Sequence, residues 1–186
     1  MSIEWPVRGS GEWPTHRCLR LGDMEGLPGG LGNILPDELI PLQLIGVSYQ
    51  ILDRVVTKRI EGRDFLCFGT SGIDQFIAAD IETGEVQHIL TSDQHYLTFT
   101  NSTLATFNAC VQATIESFPF YDSESEFGAF DAAARSLRTR LSAIDPAILQ
   151  VEDFWDSFIT DVECGDFMTE EIVEGYQPGD VPPHSR

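Results

Sequence analysis

Ser71 stands between two glycines in Gly69-Thr70-Ser71-Gly72. A nucleophilic serine of the elbow type needs Gly-x-Ser-x-Gly at a strand-to-helix turn, where the sharp bend exposes the hydroxyl. Here the second glycine comes one place early, and Gln75 to Ile81 reads as a strand. A phosphate loop needs a Gly-Lys-Ser/Thr ending and a helix N-terminus whose amides face the anion. The sequence has neither at this place. Gly69 and Gly72 are therefore expected to permit turn geometry. His88 and His95 flank a short polar stretch and could meet at a hairpin end, but two histidines seven apart with no supporting Cys or His are poor metal ligands. Carboxylate pairs such as Asp80 with Glu82 and Asp122 with Glu124 are ordinary in so acidic a chain, and acid/base work would need a pocket around them. The four cysteines, at 18, 67, 110 and 164, form no Cys-x-x-Cys pair. Cys67 and Cys110 fall in apolar runs and are expected as small buried groups. The reading assigns no catalytic residue, no metal site and no cofactor. A small hydrolase using Ser71 or the two histidines is the enzymatic alternative.

The elements that would carry these residues follow from periodicity. Residues 1–26 are rich in Gly and Pro and are expected to be irregular, with Trp5 and Trp13 fastening them to the core. Pro36 and Pro41 preclude a long helix, so a short turn and then extended chain is expected. The run from 47 to 60 is rich in Val and Ile and reads as one or two strands. Residues 65–69, 75–81 and 86–90 read as further strands, joined by turns at Gly69–Gly72 and at Glu82-Thr83-Gly84-Glu85. Short connections of this kind make an antiparallel meander. Phe65, Cys67 and Gly69 would share one face of their strand and Leu66 and Phe68 the other, so both faces are apolar and both should be covered.

After Tyr96 the period changes. Leu104, Phe107, Val111, Ile115 and Phe118 follow helical spacing. Asn101, Ser102 or Thr103 can cap that helix, and Pro119 marks its end. A second helix from about 124 to 143 carries Phe127, Phe130, Ala134, Leu137, Leu141 and Ile144. A third, from about 152 to 163, carries Phe154, Trp155, Phe158, Ile159 and Val162. Arg135, Arg138 and Arg140 lie on the second helix and can pair with nearby acids. Strands first and helices after suggests an α+β domain, mainly an antiparallel sheet with C-terminal helices packed on it. The domain is expected over residues 27–165, followed by an acidic, Pro-rich tail at 166–186.

The charge balance is one-sided. Eleven Lys and Arg face thirty Asp and Glu, a net charge of −19. Between Glu152 and Arg186 ten acids stand against one arginine. Such a surface repels phosphate backbones, which argues against direct nucleic-acid binding, and attracts a basic partner. No apolar run approaches the ~20 residues of a membrane span. The opening residues lack an apolar signal core, so a cytoplasmic protein is expected.

The order of parts carries a further indication. Phe68-Gly69 ends one strand, Asp80 the next, and Thr83-Gly84-Glu85-Val86 opens a third. Phe99-Thr100-Asn101-Ser102-Thr103-Leu104 follows, with Phe107 on the helix. Ile144-Asp145-Pro146-Ala147 then precedes Phe154-Trp155. Over about residues 27–163 this arrangement resembles the SUKH superfamily of immunity proteins, its fourth branch in particular. The first 26 residues and the tail after Gly165 have no counterpart in it. Thr100 and Thr103 stand where the family favours Val and Ser. The resemblance implies a single α+β domain that neutralises a bacterial toxin, with nucleases and nucleic-acid deaminases among the associated partners. It brings no catalytic residues. Gly69, Gly84, Asn101, Ser102, Phe107 and Trp155 are then structural, with Gly84 allowing a hairpin, Asn101 and Ser102 capping the first helix and holding it to the last strand, and Phe107 and Trp155 filling the core. The alternative of a different class is a regulatory or scaffold protein of the same fold.

For a toxin contact, the residues chosen are Tyr121 as an aromatic anchor among Asp122, Glu124 and Glu126, and a second acidic patch of Asp161, Glu163 and Asp166.

Overall fold

A computed structural model describes residues 16–27, 37–45, 48–91, 96–121, 128–150 and 154–167. Two short strands, β1 (Cys18–Arg20) and β2 (Leu39–Pro41), pair antiparallel. A five-stranded sheet follows: β3 (Gln50–Ile60), β4 (Arg63–Gly72), β5 (Gln75–Asp80), β6 (Val86–Leu90) and β7 (Tyr96–Asn101). Its strands are ordered as in the chain and every pairing is antiparallel. Three helices come next, α1 (Leu104–Glu116), α2 (Ala129–Ile144) and α3 (Phe154–Cys164). The architecture is α+β, with the helices after the sheet, as the residue pattern implied.

The turns show why the meander closes. Glu61 and Gly62 both have positive φ, 51° and 84°, which suits the tight β3–β4 hairpin. Between β5 and β6 the Asp80 carboxylate accepts from the Glu82 and Thr83 amides, and the Gly84 amide, at φ 78°, donates to the Asp80 carbonyl. Asp80 is itself buried and takes an ion pair from Arg63 at 2.8 Å. Glu82-Thr83-Gly84-Glu85 is thus a turn.

The other expected turn lies elsewhere. β4 continues through Gly69-Thr70-Ser71-Gly72, and the chain reverses at Ile73–Asp74. Gly69 has a different reason to be glycine. A Cβ placed there would lie 2.2 Å from Cε2 of Tyr49. Tyr49 is fully buried, donates its hydroxyl to the Pro41 carbonyl at 2.9 Å and packs edge-on to Phe107. A bulge between Cys67 and Gly69 breaks the period of two, so Gly69 does not follow Phe65 and Cys67 but turns toward the Tyr49 ring.

The main core lies between the sheet and the helices. It joins Leu66, Phe68 and Ile77 to Phe107, Val111, Leu137, Leu141, Trp155, Phe158 and Val162. The opposite sheet face carries Ile60, Phe65, Cys67, Ala78 and Ile89. Lys58 and Arg63 lay their heads over the Phe76 and Phe65 rings there, at 4.3 and 5.1 Å. β4 is therefore buried on both faces and paired along both edges. Cys67 and Cys110 are buried, and burial pushes their thiols up to about 11 and about 12. The three arginines of α2 do pair: Arg135 with Asp131, Arg138 with Asp156 and Arg140 with Glu116.

Two further features differ from expectation. Cys18–Arg20 forms a strand, and Leu21 and Met24 reach the main core, where irregular chain was expected. β7 precedes α1 directly, in a stretch read only as the approach to a helix. Trp5, Trp13, Phe127 and the tail from 168 onward lie outside the described residues.

Candidate functional site

The end of β7, the start of α1 and the turn after α2 are joined by one carboxylate. Asp145 is 2% exposed. It accepts from the Asn101 side chain (3.0 Å), the Ser102 amide (2.7 Å) and the Ser102 hydroxyl (2.9 Å), and Thr106 Oγ1 lies 3.1 Å away. Burial pushes its carboxyl up, but these donors together outweigh burial and hold it below the usual carboxylate range. Asn101 Oδ1 in turn accepts from the Trp155 indole at 2.8 Å, which brings in α3. The N-cap of α1 is Thr103, in a capping box with Thr106. Thr103 was one of the three residues read as possible caps, whereas Asn101 and Ser102, expected to cap α1, instead donate to Asp145.

A cleft of about 290 Å³ opens between the β4–β5 end of the sheet and α3. Ser48, Ser71, Gln75, His88, Phe154, Ser157, Phe158 and Asp161 line it. Each comes from its own place in the fold. Ser48 lies just before β3, Ser71 is near the end of β4, Gln75 begins β5, His88 projects from β6 toward the helices, and α3 supplies the other four. Ser71 Oγ lies 2.8 Å from His88 Nε2, and Gln75 Oε1 lies 3.2 Å from each. The His88 ring stands edge-on to Phe154, at 6.1 Å. Among the described residues of the lining, Asp161 is the one carboxylate, and none is Lys or Arg. Burial raises the Asp161 carboxyl and the Asp166 charge raises it further.

Serine and histidine thus meet at the distance a nucleophile and its base would need. The surrounding geometry is not that of an acyl-transfer site. Ser71 sits on a strand that turns into another strand, not at the strand-to-helix turn of a nucleophile elbow. Gln75 crowds the same hydroxyl with an acceptor. Sequence reasoning had paired His88 with His95, which lies outside the described residues, and missed the pairing with Ser71. The register of β4, β5 and β6 makes that contact, and no local motif announces it.

Residues 53–161 match the model of the SUKH-4 immunity protein family. That span is more than half of the chain. The chain belongs to the SUKH-4 immunity protein family. No curated protein and no solved structure matches it. An immunity role follows from the family, and the SUKH-4 match runs from within β3 to Asp161 on α3. It contains the Asn101–Asp145–Trp155 junction and every residue of the cleft except Ser48.

The residues chosen for toxin contact in this SUKH-4 protein fall unequally. Tyr121 is 2% exposed, and its hydroxyl donates to the Val162 carbonyl while its ring packs on Phe130. It is a core residue and cannot anchor a partner from the surface. Asp122, Glu124 and Glu126 lie outside the described residues. Asp161 and Asp166 lie side by side at the C-terminal end of α3, with Glu163 two residues along the helix from Asp161; Glu163 and Asp166 are exposed and Asp161 partly so. None of these three makes an ion pair among the described residues.

No described helix is long and apolar enough to cross a membrane. Among the described residues no cluster of three or more His, Cys, Asp or Glu is placed to hold a metal.

Proposed function

We propose that the protein neutralises a cognate bacterial polymorphic toxin by binding it stoichiometrically, without catalysis, in the cytoplasm of the cell that carries both. The family match carries this reading. The charge refines it. A nuclease or a nucleic-acid deaminase needs a basic cleft to hold its substrate backbone. A chain of net charge −19 is suited to occupy such a cleft and to take the place of phosphate charge. The acids at the end of α3, with Asp161 at the cleft, are the described residues best placed for that contact. Asp122, Glu124 and Glu126 are proposed as a second contact.

The test is co-expression with the toxin encoded by the adjacent gene. Rescue of growth and a co-purifying one-to-one complex are the expected results. Persistent toxicity with no complex would sink the proposal. The Ser71–His88 contact is the one observation that favours an enzymatic reading, and it has its own test. Ser71→Ala and His88→Gln should leave protection intact, whereas an enzyme would lose it with either change.

A further inference from the structure

We propose that the cleft between the β4–β5 turn and α3 seats one arginine side chain of the protein partner. This inference rests on the immunity reading for the identity of the partner, but the seat itself is argued from the cleft.

The lining is divided in a way that suits a guanidinium. Phe154 and Phe158 are buried core residues that show little surface to the cleft, and they form an apolar wall along which the methylene stem of a long side chain can lie. Asp161 supplies a carboxylate that no described cation neutralises. Gln75 supplies a carbonyl oxygen. Gln75 Oε1 accepts from the Ser71 hydroxyl at 3.2 Å and, as a carbonyl oxygen with two lone pairs, can accept a further N–H. A guanidinium can reach a carboxylate and an amide oxygen together through its rigid fork, while a lysine ammonium offers a single compact charge. The cleft, at about 290 Å³, lies at the lower end of small-molecule pockets and fits one long side chain better than a nucleotide. The raised Asp161 carboxyl fits the same picture, because a desolvated acid beside Asp166 gains most from an arriving cation.

Nα-acetyl-arginine amide is the probe, titrated into the full chain and followed by amide and side-chain NMR signals. Saturable shifts at Gln75, His88 and Asp161 are expected, with a dissociation constant on the order of 1 mM. The citrulline analogue, with the same shape and no charge, should bind at least about tenfold more weakly. Asp161→Asn should abolish the arginine response, and Gln75→Ala should weaken it, with the rest of the spectrum unchanged. Three results would overturn the seat: no saturable response, an equal response to citrulline, or an unchanged response in Asp161→Asn. Toxin protection is measured separately. Protection without an arginine response removes the seat and leaves the immunity reading standing, whereas an arginine response without protection does the reverse.

Discussion

Asn101 and Asp145, 44 residues apart in the chain, meet at 3.0 Å inside the core, and Asn101 passes the connection on to Trp155. One side chain thus links the last strand, the turn after α2 and the helix that borders the cleft. Removing the carboxylate strands buried donors of Asn101 and Ser102. Asp145→Ala should therefore cost about 3 kcal/mol, read as a lower urea midpoint. Asn101→Ala should lose a similar amount, and the double variant less than the sum, because the two share one network. The pH dependence has a definite sign. The folded carboxyl is depressed below its ordinary value of 3.8. Its contribution is complete above that value and is lost as pH falls through the lower folded value. Wild-type stability should thus fall more steeply in acid than that of Asp145→Asn. Parallel acid profiles for the two would refute this.

Gly69 and Tyr49 form a second obligatory pair. An added Cβ would overlap the ring at 2.2 Å, and Tyr49 is enclosed by Phe68 and Phe107 and held by its bond to Pro41. Gly69→Ala should destabilise by about 2 kcal/mol or more through overpacking. In a Tyr49→Val background the same change should cost much less. Gly84→Ala acts through backbone strain alone, since nothing lies within 4 Å of its Cβ position. Tyr49→Val should not rescue it. Thermal unfolding of the single and double variants separates steric from conformational cost.

Local signals account for what was legible in the sequence. The β3–β4 hairpin is carried by Glu61-Gly62, and β6 begins and ends where its apolar run does. The α3 stripe of Phe154, Trp155, Phe158, Ile159 and Val162 is wholly buried, as its spacing required. What was missed depends on distant partners. Tyr49 reaches Gly69 from another segment, so the bulge there leaves no local trace. β7 was hidden because it enters α1 with no intervening loop. Asp145, just before Pro146, has the local look of a helix end, although an acid between apolar Ile144 and a helix of core aromatics could signal a buried partner. Tyr121 looked like a surface anchor because acids follow it in sequence, yet its ring packs beneath α2. The cleft is assembled from β4, β5, β6 and α3, and only the register brings Ser71 to His88.

Thr100 offers a test of a departure from the family pattern. It is 1% exposed, and its hydroxyl has no hydrogen-bond partner among the described residues. A buried hydroxyl without a partner costs free energy that a methyl of the same shape does not. Thr100→Val, the residue type the family favours here, should stabilise the protein by about 1 kcal/mol. Thr103 departs from the family pattern without that cost, because threonine caps α1 much as serine would. Thr103→Ser should change the urea midpoint little, while Thr103→Ala should lower stability by about 1 kcal/mol. A destabilised Thr100→Val chain would show that the hydroxyl is satisfied in solution.

Association with the toxin should be steered by charge. At net −19 the encounter with a basic surface is accelerated at low salt, and the effect fades as the screening length shrinks. Raising salt from about 0.05 to 0.5 M should slow association by about tenfold or more while dissociation changes little. Reversing Glu163 and Asp166 together to Lys should slow association and flatten this salt dependence, because both are exposed at the end of α3. Asp161→Asn should behave differently. Its carboxyl is raised in the folded protein, so ionising it opposes folding, and the amide should leave the isolated chain as stable or slightly more stable at neutral pH. The same change should speed dissociation of the complex. A variant more stable alone yet weaker in complex would mark a residue kept for binding rather than folding. An Asp161→Asn chain that loses stability and binds normally would contradict both parts of this expectation.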